Sequence, residues 1–315
     1  MKFKSLKVGD NNIVLHALVI DAKIKQTVNQ TPYYSLTLSD GDDLVDARIW
    51  TVGIVSTLAK GEIENGNVYR LTVKVNDYAG KNQIIITKIE DANPQEIDLS
   101  AFYKSAPMDL DELKNKIINT IHNIQNPRLK KIVFDLIGRD ADKYFVHQAA
   151  VTMHHNYLGG LAYHVYSMLE LAEVIIKNYP GINADLLRAG VLIHDIGKTV
   201  EITSDKTPSY SKEGNLLGHI VIGLNKLYEV IKENEFENTD EALSLLHMMA
   251  AHHGELEYGS PKEPMMYEAL ALHLIDLMDS KLAGCGEFVS KSEKGTYTSS
   301  IPTLGKKALY VPDIE

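Results

Sequence analysis

The chain has 315 residues, 44% of them hydrophobic, a formal net charge of −10 and one cysteine, Cys285. That apolar fraction excludes wholesale disorder, the lone cysteine excludes a disulfide framework and a thiolate-rich zinc or iron–sulfur site, and the acidic balance excludes a broad basic surface for duplex DNA. No apolar run approaches the roughly 18 residues that a spanning helix needs, and the opening Met1-Lys2-Phe3-Lys4-Ser5-Leu6-Lys7 has no apolar core behind it. The expectation is a protein of the reducing cytoplasm with no membrane partner.

Residues 1–98 read as β. Val14–Lys25, Tyr33–Ser39, Leu44–Trp50, Val68–Asn76 and Gln83–Ile89 are rich in β-branched and aromatic residues, with Gly and Asp between them. A helical piece at Val55–Lys60 falls between the third and fourth strands. Five strands with a helix at that place follow the order of the OB-fold barrel. Alternation assigns the faces: Val45, Ala47 and Ile49 share one, as do Tyr34, Leu36 and Leu38. Tyr33, Arg48 and Trp50 are left outside, where aromatic and cationic groups suit stacking on single-stranded nucleic acid. Packing of Trp50 against a linker or a second domain is the plain alternative.

Pro94 and Pro107 bracket a polar stretch. The expected division is a barrel at 1–98, a linker at 99–108, a helical domain at 109–295 and a tail at 296–315 that carries no motif. From Asp109 the period is helical: Leu110, Leu113, Ile117, Ile118, Ile121 and Ile124 recur at three- and four-residue spacing. Further helices are expected at Leu161–Asn178, Ala184–Asp195, His219–Glu233, Asp240–His252 and Glu268–Ala283, with Gly197 and Gly254 at C-cap positions. The overall class is a multidomain α and β protein. Apolar helices such as Leu110–Ile124 offer a surface for a homo-oligomer.

Of twelve histidines, only His16 precedes residue 120. The informative set is His164, His194-Asp195, His219, His252-His253 and Asp276, each on or at the end of an expected helix. Asp195 ends the apolar run Val191-Leu192-Ile193, where burial and the helix dipole both disfavour an anion. A cation resolves both conflicts. Imidazole and carboxylate donors without thiolate suit Mn, Fe, Zn, Co or Ni better than Mg. A metal pair about 3.5–4 Å apart polarises a phosphoryl group and lowers the pKa of a bridging water. His122, His147, His247 and His273 read as ordinary hydrogen-bonded histidines.

His164, His194-Asp195 and Asp276 resemble the signature of the HD-domain metal-dependent phosphohydrolases. His219 and His252-His253 resemble the additions of its two-metal branch. More narrowly, His154-His155-Asn156-Tyr157-Leu158-Gly159-Gly160-Leu161, His194-Asp195-Ile196-Gly197-Lys198, and His252-His253-Gly254 with Tyr258-Gly259-Ser260-Pro261 are similar to the bacterial YhaM family. So are the run from Leu6 to Asp10 and the strand Tyr34-Ser35-Leu36-Thr37-Leu38. Members of that family are 3′-to-5′ exoribonucleases with an OB-fold followed by an HD domain.

The resemblance implies two divalent ions, Mn first among them. It places His164, His194, Asp195 and Asp276 around one, and Asp195, His219 and His252 or His253 around the other. Asp279, three residues after Asp276, competes with it. Lys198 would neutralise the scissile phosphate, against the plain reading of a solvated lysine. His154 and His155 would touch phosphate or protonate the 3′ oxygen leaving group. The implied activity is metal-dependent exonucleolytic hydrolysis of single-stranded RNA, or of DNA, to nucleoside 5′-monophosphates. Two other readings stay open: an HD phosphohydrolase of small nucleotides or cyclic dinucleotides, and a single-strand-binding protein whose HD site is vestigial.

Overall fold

The computed structural model describes residues 2–41, 43–78, 81–93, 95, 97, 101–102, 106–149, 157–203 and 208–314, with the side chain of Lys81 left aside. The chain divides into two compact units, Met1–Ser105 and Ala106–Ser204 with Pro208–Glu315.

The first unit is a closed five-stranded barrel of β1 (Ile13–Gln26), β2 (Pro32–Ser39), β3 (Leu44–Ile49), β4 (Val68–Tyr78) and β5 (Lys81–Asp91), in the order β1-β2-β3-β5-β4. Parallel pairing of β3 with β5 (Ala47↔Ile84) and antiparallel pairing of β1 with β4 (Leu15↔Leu71) close it. This is the OB topology. Leu15, Ala17, Val19, Leu36, Leu38, Ala47, Ile49, Leu71, Val73, Ile84 and Ile86 fill the interior. Two register shifts interrupt the alternation. Val19 pairs with Leu38 and Asp21 with Thr37, leaving Ile20 extra; likewise Thr87 is extra between Ile86 and Lys88. Such bulges sharpen the local bend that a small barrel needs to close. The connection between β3 and β4 is a 3-10 helix at Val52–Thr57, earlier than the expected Val55–Lys60.

The second unit is helical: α1 (Leu110–Asn123), α2 (Pro127–Arg139), α3 (Ala141–Tyr144), α4 (Gly160–Asn178), α5 (Ala184–Ile193), α6 (Lys198–Glu201), α7 (Lys212–Glu233), α8 (Asp240–Ala251) and α9 (Tyr267–Ser290). Asp109, Asn126, Asn183, Ser211 and Thr239 cap α1, α2, α5, α7 and α8 by accepting first-turn amides. Helix α5 is the axis of the unit. Leu186, Leu187, Ala189, Val191, Leu192 and Ile193 are buried, and its polar side chains, Asp185 and Arg188, sit at i, i+3 in its first half. Gly190 lets α8 approach, since a Cβ there would stand 2.2 Å from Met248 Cε.

The apolar face of α1 is not available for a second copy. Leu113, Ile117, Ile121 and Ile124 are buried in the core of their own unit. The C-terminal residues form a hairpin of β6 (Thr296–Tyr297) and β7 (Tyr310–Val311), with Ile301 fully buried. Among the described residues no helix is long and apolar enough to cross a membrane. Cys285 is a buried free thiol.

Candidate metal centre and strand-binding face

Helix α5 ends at Ile193, two residues before the expected Asp195. The chain then tightens: the amides of Ile196, Lys198 and Thr199 bond the carbonyls three residues back. Two carbonyls at the end of α5 find side-chain donors. Tyr144 Oη donates to Leu192 O at 2.7 Å, and His194 Nδ1 donates to Val191 O at 2.9 Å. The tight turn puts Asp195 and Lys198 on one side, with Lys198 Nζ 2.7 Å from Asp195 Oδ2. Part of the charge compensation required at Asp195 therefore comes from the chain itself.

Gly197 is not a C-cap. Its φ is −63°, and it opens α6. A Cβ there would stand 2.0 Å from His219 O and 2.8 Å from Gly223 N, so glycine is required for α7 to lie against the turn. Gly254 does have the left-handed φ of a cap, +82°. Helix α7 begins at Lys212, seven residues before its expected start at His219, and is broken at Gly218, where φ is 70° and ψ 158°. That backbone is open only to glycine.

Asp195 is the centre of the arrangement. Its Oδ1 lies 3.4 Å from His219 Nε2 and 3.7 Å from His252 Nε2. Its Oδ2 lies 3.3 Å from His194 Nε2 and 3.7 Å from His164 Nε2. On one side, the donor atoms of His164, His194 and Asp276 lie within 4.8 Å of one another. On the other, those of His219, His252 and His253 do the same. Asp276 Oδ1 is 3.3 Å from His164 Nε2, whereas Asp279 Oδ2 is 2.7 Å from His164 Nδ1. The two carboxylates thus address opposite nitrogens of one ring. Asp276 stands with the donors, and Asp279, also held by Ser167 Oγ at 2.5 Å, stands behind them.

All five imidazoles share one polarity. Nδ1 bonds an oxygen: Asp279 for His164, Val191 O for His194, Glu201 for His219, Met249 O for His252 and Tyr258 O for His253. A carbonyl or carboxylate only accepts, so Nδ1 carries the proton; at His194, His219, His252 and His253 Nε2 is left with its lone pair, whereas His164 Nε2 faces the Asp276 carboxylate at 3.3 Å. Among the described residues, His194 Nε2, His219 Nε2, His252 Nε2 and Asp195 Oδ1 are buried without a hydrogen-bond partner. Leaving such atoms unsatisfied costs about 1–3 kcal/mol each. Lone pairs converging on both sides of a carboxylate are the donor set of divalent cations, and the residues fit a metal pair.

Electrostatics agree with that fit. Burial holds His252 well below the ordinary imidazole range, and neighbouring His194 adds to the effect, so its ring is neutral. Burial, with His219 beside it, also lowers His253. Burial disfavours the charge on Asp195, but Lys198, His194 and His219 overcome it and hold the carboxyl well below its usual range. His164 is the exception: burial acts against its charge, yet hydrogen bonds to Asp276 and Asp279 raise it to about 9, so without a cation the ring is protonated on both nitrogens, and a metal there would have to displace the Nε2 proton. Burial opposes ionisation of Glu201, and hydrogen bonding from His219 prevails to lower its pKa.

Glu201, a close neighbour of His219, escaped the sequence reading. The available signal was slight: one acidic residue in the short Lys198-Thr199-Val200-Glu201 segment after the His-Asp pair. His154 and His155 lie outside the described residues. His247 Nε2 accepts the Met265 amide at 2.9 Å, His273 Nδ1 donates to His252 O at 3.1 Å, and His147 Nε2 meets Ile202 O at 3.1 Å; these are ordinary structural bonds.

On the barrel, Tyr33 and Trp50 meet across β2 and the end of β3, with ring centroids 4.7 Å apart at 33°. The Arg48 guanidinium stands 6.0 Å from the Tyr33 ring centroid. The register of β1 with β2 sets Lys25 opposite Tyr33 and Lys23 opposite Ser35. Cross-strand partners share a face. One outer face therefore carries two aromatic rings, three cations and the carboxylates of Asp21 and Asp46, with Asp21 2.9 Å from Lys23 Nζ, and Trp50 remains 43% exposed.

The family model described as HD domain matches residues 161–283, which include every metal-centre residue from His164 to Asp279. The helical unit carries an HD domain, and that points to a metal-dependent phosphohydrolase. Among solved structures, the second OB-fold domain of replication protein A from Methanococcus maripaludis is similar at 20% identity, over 28% of this chain and 90% of that chain, with a TM-score of 0.22.

Proposed function

We propose that the protein is a metal-dependent 3′-to-5′ exonuclease that hydrolyses single-stranded RNA to nucleoside 5′-monophosphates, with single-stranded DNA as the alternative substrate. The observation that carries the reading is Asp195, whose buried Oδ1 has imidazole Nε2 atoms at 3.4 and 3.7 Å and whose Oδ2 has two more at 3.3 and 3.7 Å. The direction of attack and the preference for RNA rest on the resemblance to the YhaM family.

His164, His194, Asp195 and Asp276 would hold one ion, and Asp195, His219, His252 and His253 the other. Mn²⁺ is the ion proposed, on the resemblance to the YhaM family; the imidazole and carboxylate donors by themselves suit Fe, Zn, Co or Ni as well. When bound, such a pair polarises the phosphoryl group and acidifies water. Lys198 presents its ammonium beside the shared carboxylate, where it would neutralise charge gathering on the phosphate oxygens. His154 and His155 are proposed for phosphate contact or for protonating the departing 3′ oxygen. Residues 1–98 would hold the strand by stacking on Tyr33 and Trp50, with Arg48 on phosphate, as OB-folds do on strands two and three. Residues 109–295 would carry the chemistry, with 99–108 as linker and 296–315 as a tail.

The test is a sequencing gel of 5′-labelled single-stranded RNA and DNA with Mn²⁺ or Mg²⁺. The expected result is a ladder shortening from the 3′ end with release of nucleoside 5′-monophosphates. Intact oligonucleotides beside hydrolysed cyclic dinucleotides would transfer the assignment to a small-nucleotide phosphohydrolase. Intact substrates and metal-free protein would leave a binding protein.

A further inference from the structure

The two donor clusters are not built alike. The His164, His194 and Asp276 cluster has a carboxylate of its own besides the shared Asp195. Among the described residues, the His219, His252 and His253 cluster is imidazole alone, so Asp195 supplies the sole donor charge found there. Two of those three rings are anchored by neutral backbone carbonyls, Met249 O and Tyr258 O. The third, His219, is anchored by a carboxylate: Glu201 Oε1 takes its Nδ1 at 3.2 Å and its backbone amide at 3.0 Å.

The backbone is arranged for this contact. Helix α7 breaks at Gly218, and the His219 amide is turned to Glu201 as α7 resumes. A carboxylate there both caps the resumed helix and fixes the ring. Glu201 itself is held in place. Its carbonyl accepts the Ser211 amide at 2.9 Å, and a Cβ at Gly214 would stand 2.2 Å from that carbonyl oxygen.

We propose that Glu201 is a positioning residue for the metal position formed by His219, His252 and His253, fixing His219 with Nε2 inward and lending the all-imidazole cluster its second, remote negative charge. The proposal rests on the metal-pair reading above. It predicts unequal positions: the His164 side fills first, and the His219 side depends on Glu201. Loss of such an outer carboxylate lowers metal affinity about 10- to 100-fold.

The full-length chain, Glu201→Gln, Glu201→Ala and Asp279→Asn are loaded with Mn²⁺. Bound metal is measured by elemental analysis, free Mn²⁺ by electron paramagnetic resonance during titration, and folding by circular dichroism. Wild type is expected to bind two ions. Glu201→Ala should keep one and lose the magnetic coupling between ions. Glu201→Gln, which can still accept both hydrogen bonds, should keep two with the second weakened about tenfold. Asp279→Asn should weaken the first ion instead. A second ion bound by folded Glu201→Ala with wild-type affinity overturns the proposal. If Glu201→Ala does not fold, an unchanged second affinity in Glu201→Gln overturns it equally. A wild-type chain that binds no Mn²⁺ sinks the metal-pair reading itself, a different failure.

Discussion

Lys198 Nζ lies 2.7 Å from Asp195 Oδ2, in a turn where the carboxylate is 3% and the lysine side chain 17% exposed. The same carboxylate faces four imidazole Nε2 atoms at 3.3 to 3.7 Å. On the proposed function, lysine and metal would together compensate one buried charge. Lys198→Ala leaves Asp195 short of a partner in metal-free protein, which costs up to about 3 kcal/mol, the low end for a buried pair stripped of one member. Mn²⁺ should recover much of that loss, because binding to the folded state alone stabilises it. Urea unfolding is the measurement. The gap between Lys198→Ala and wild type should be wide in EDTA and narrow with Mn²⁺; equal gaps in both would contradict shared compensation.

Asp195 stands between the two donor clusters, with Oδ1 3.4 Å from His219 Nε2 and Oδ2 3.3 Å from His194 Nε2, so on the proposed function its loss should strike both ions at once. Asp195→Asn keeps the shape of the side chain and removes its charge. Hydrolysis should fall on the order of 10³-fold, the several kcal/mol that metal stabilisation supplies. Bound Mn²⁺ should fall with it, while affinity for the strand stays the same. Turnover retained at unchanged metal content would remove Asp195 from the centre of the mechanism.

The barrel face makes a separable prediction. Tyr33 and Trp50 touch at 4.7 Å, so truncating either one also loosens the other. Tyr33→Ala and Trp50→Ala should each weaken single-strand binding by about 1–3 kcal/mol, the usual value of one stacked base. Their effect should not depend on salt. Arg48→Ala should instead lower the slope of log affinity against log salt by about one. Fluorescence anisotropy at several salt concentrations reads both quantities, and wild-type affinity in Trp50→Ala would exclude this face as the strand-binding surface.

The sequence carries much of this architecture, for physical reasons that also mark where it stops. The barrel shows because each strand hides every second residue: Leu36 and Leu38 inside, Tyr33 and Ser35 outside. It does not show the extra residues Ile20 and Thr87, because a bulge shifts the alternation without altering composition. The candidate donors show because His194-Asp195 follows the apolar run Val191-Leu192-Ile193. Opposite roles for Asp276 and Asp279 do not show. At i, i+3 they share a helix face, and the position of the His164 ring between them comes from the packing of α4 on α9. Glu201 is silent for the same reason: its partner lies beyond a break at Gly218 that no local propensity announces.

Gly197 offers the last test, since one methyl group there probes the distance between two parts of the site. The added Cβ would stand 2.0 Å from His219 O and 2.8 Å from Gly223 N, both backbone atoms that cannot swing aside. Helix α7 must then move away from the turn that carries Asp195. Overpacking of this kind costs about 1–3 kcal/mol, and His219 leaves its place beside Asp195 Oδ1. Gly197→Ala should therefore melt at lower temperature and, below its transition, bind one Mn²⁺ ion rather than two. Gly138→Ala is the matched control. It lies within α2 with nothing inside 4 Å of the new methyl, and should stabilise the helix by about 0.5–1 kcal/mol without touching metal content. If Gly197→Ala instead keeps two ions and wild-type stability, the close seating of α7 on the Asp195 turn is not what assembles the second cluster.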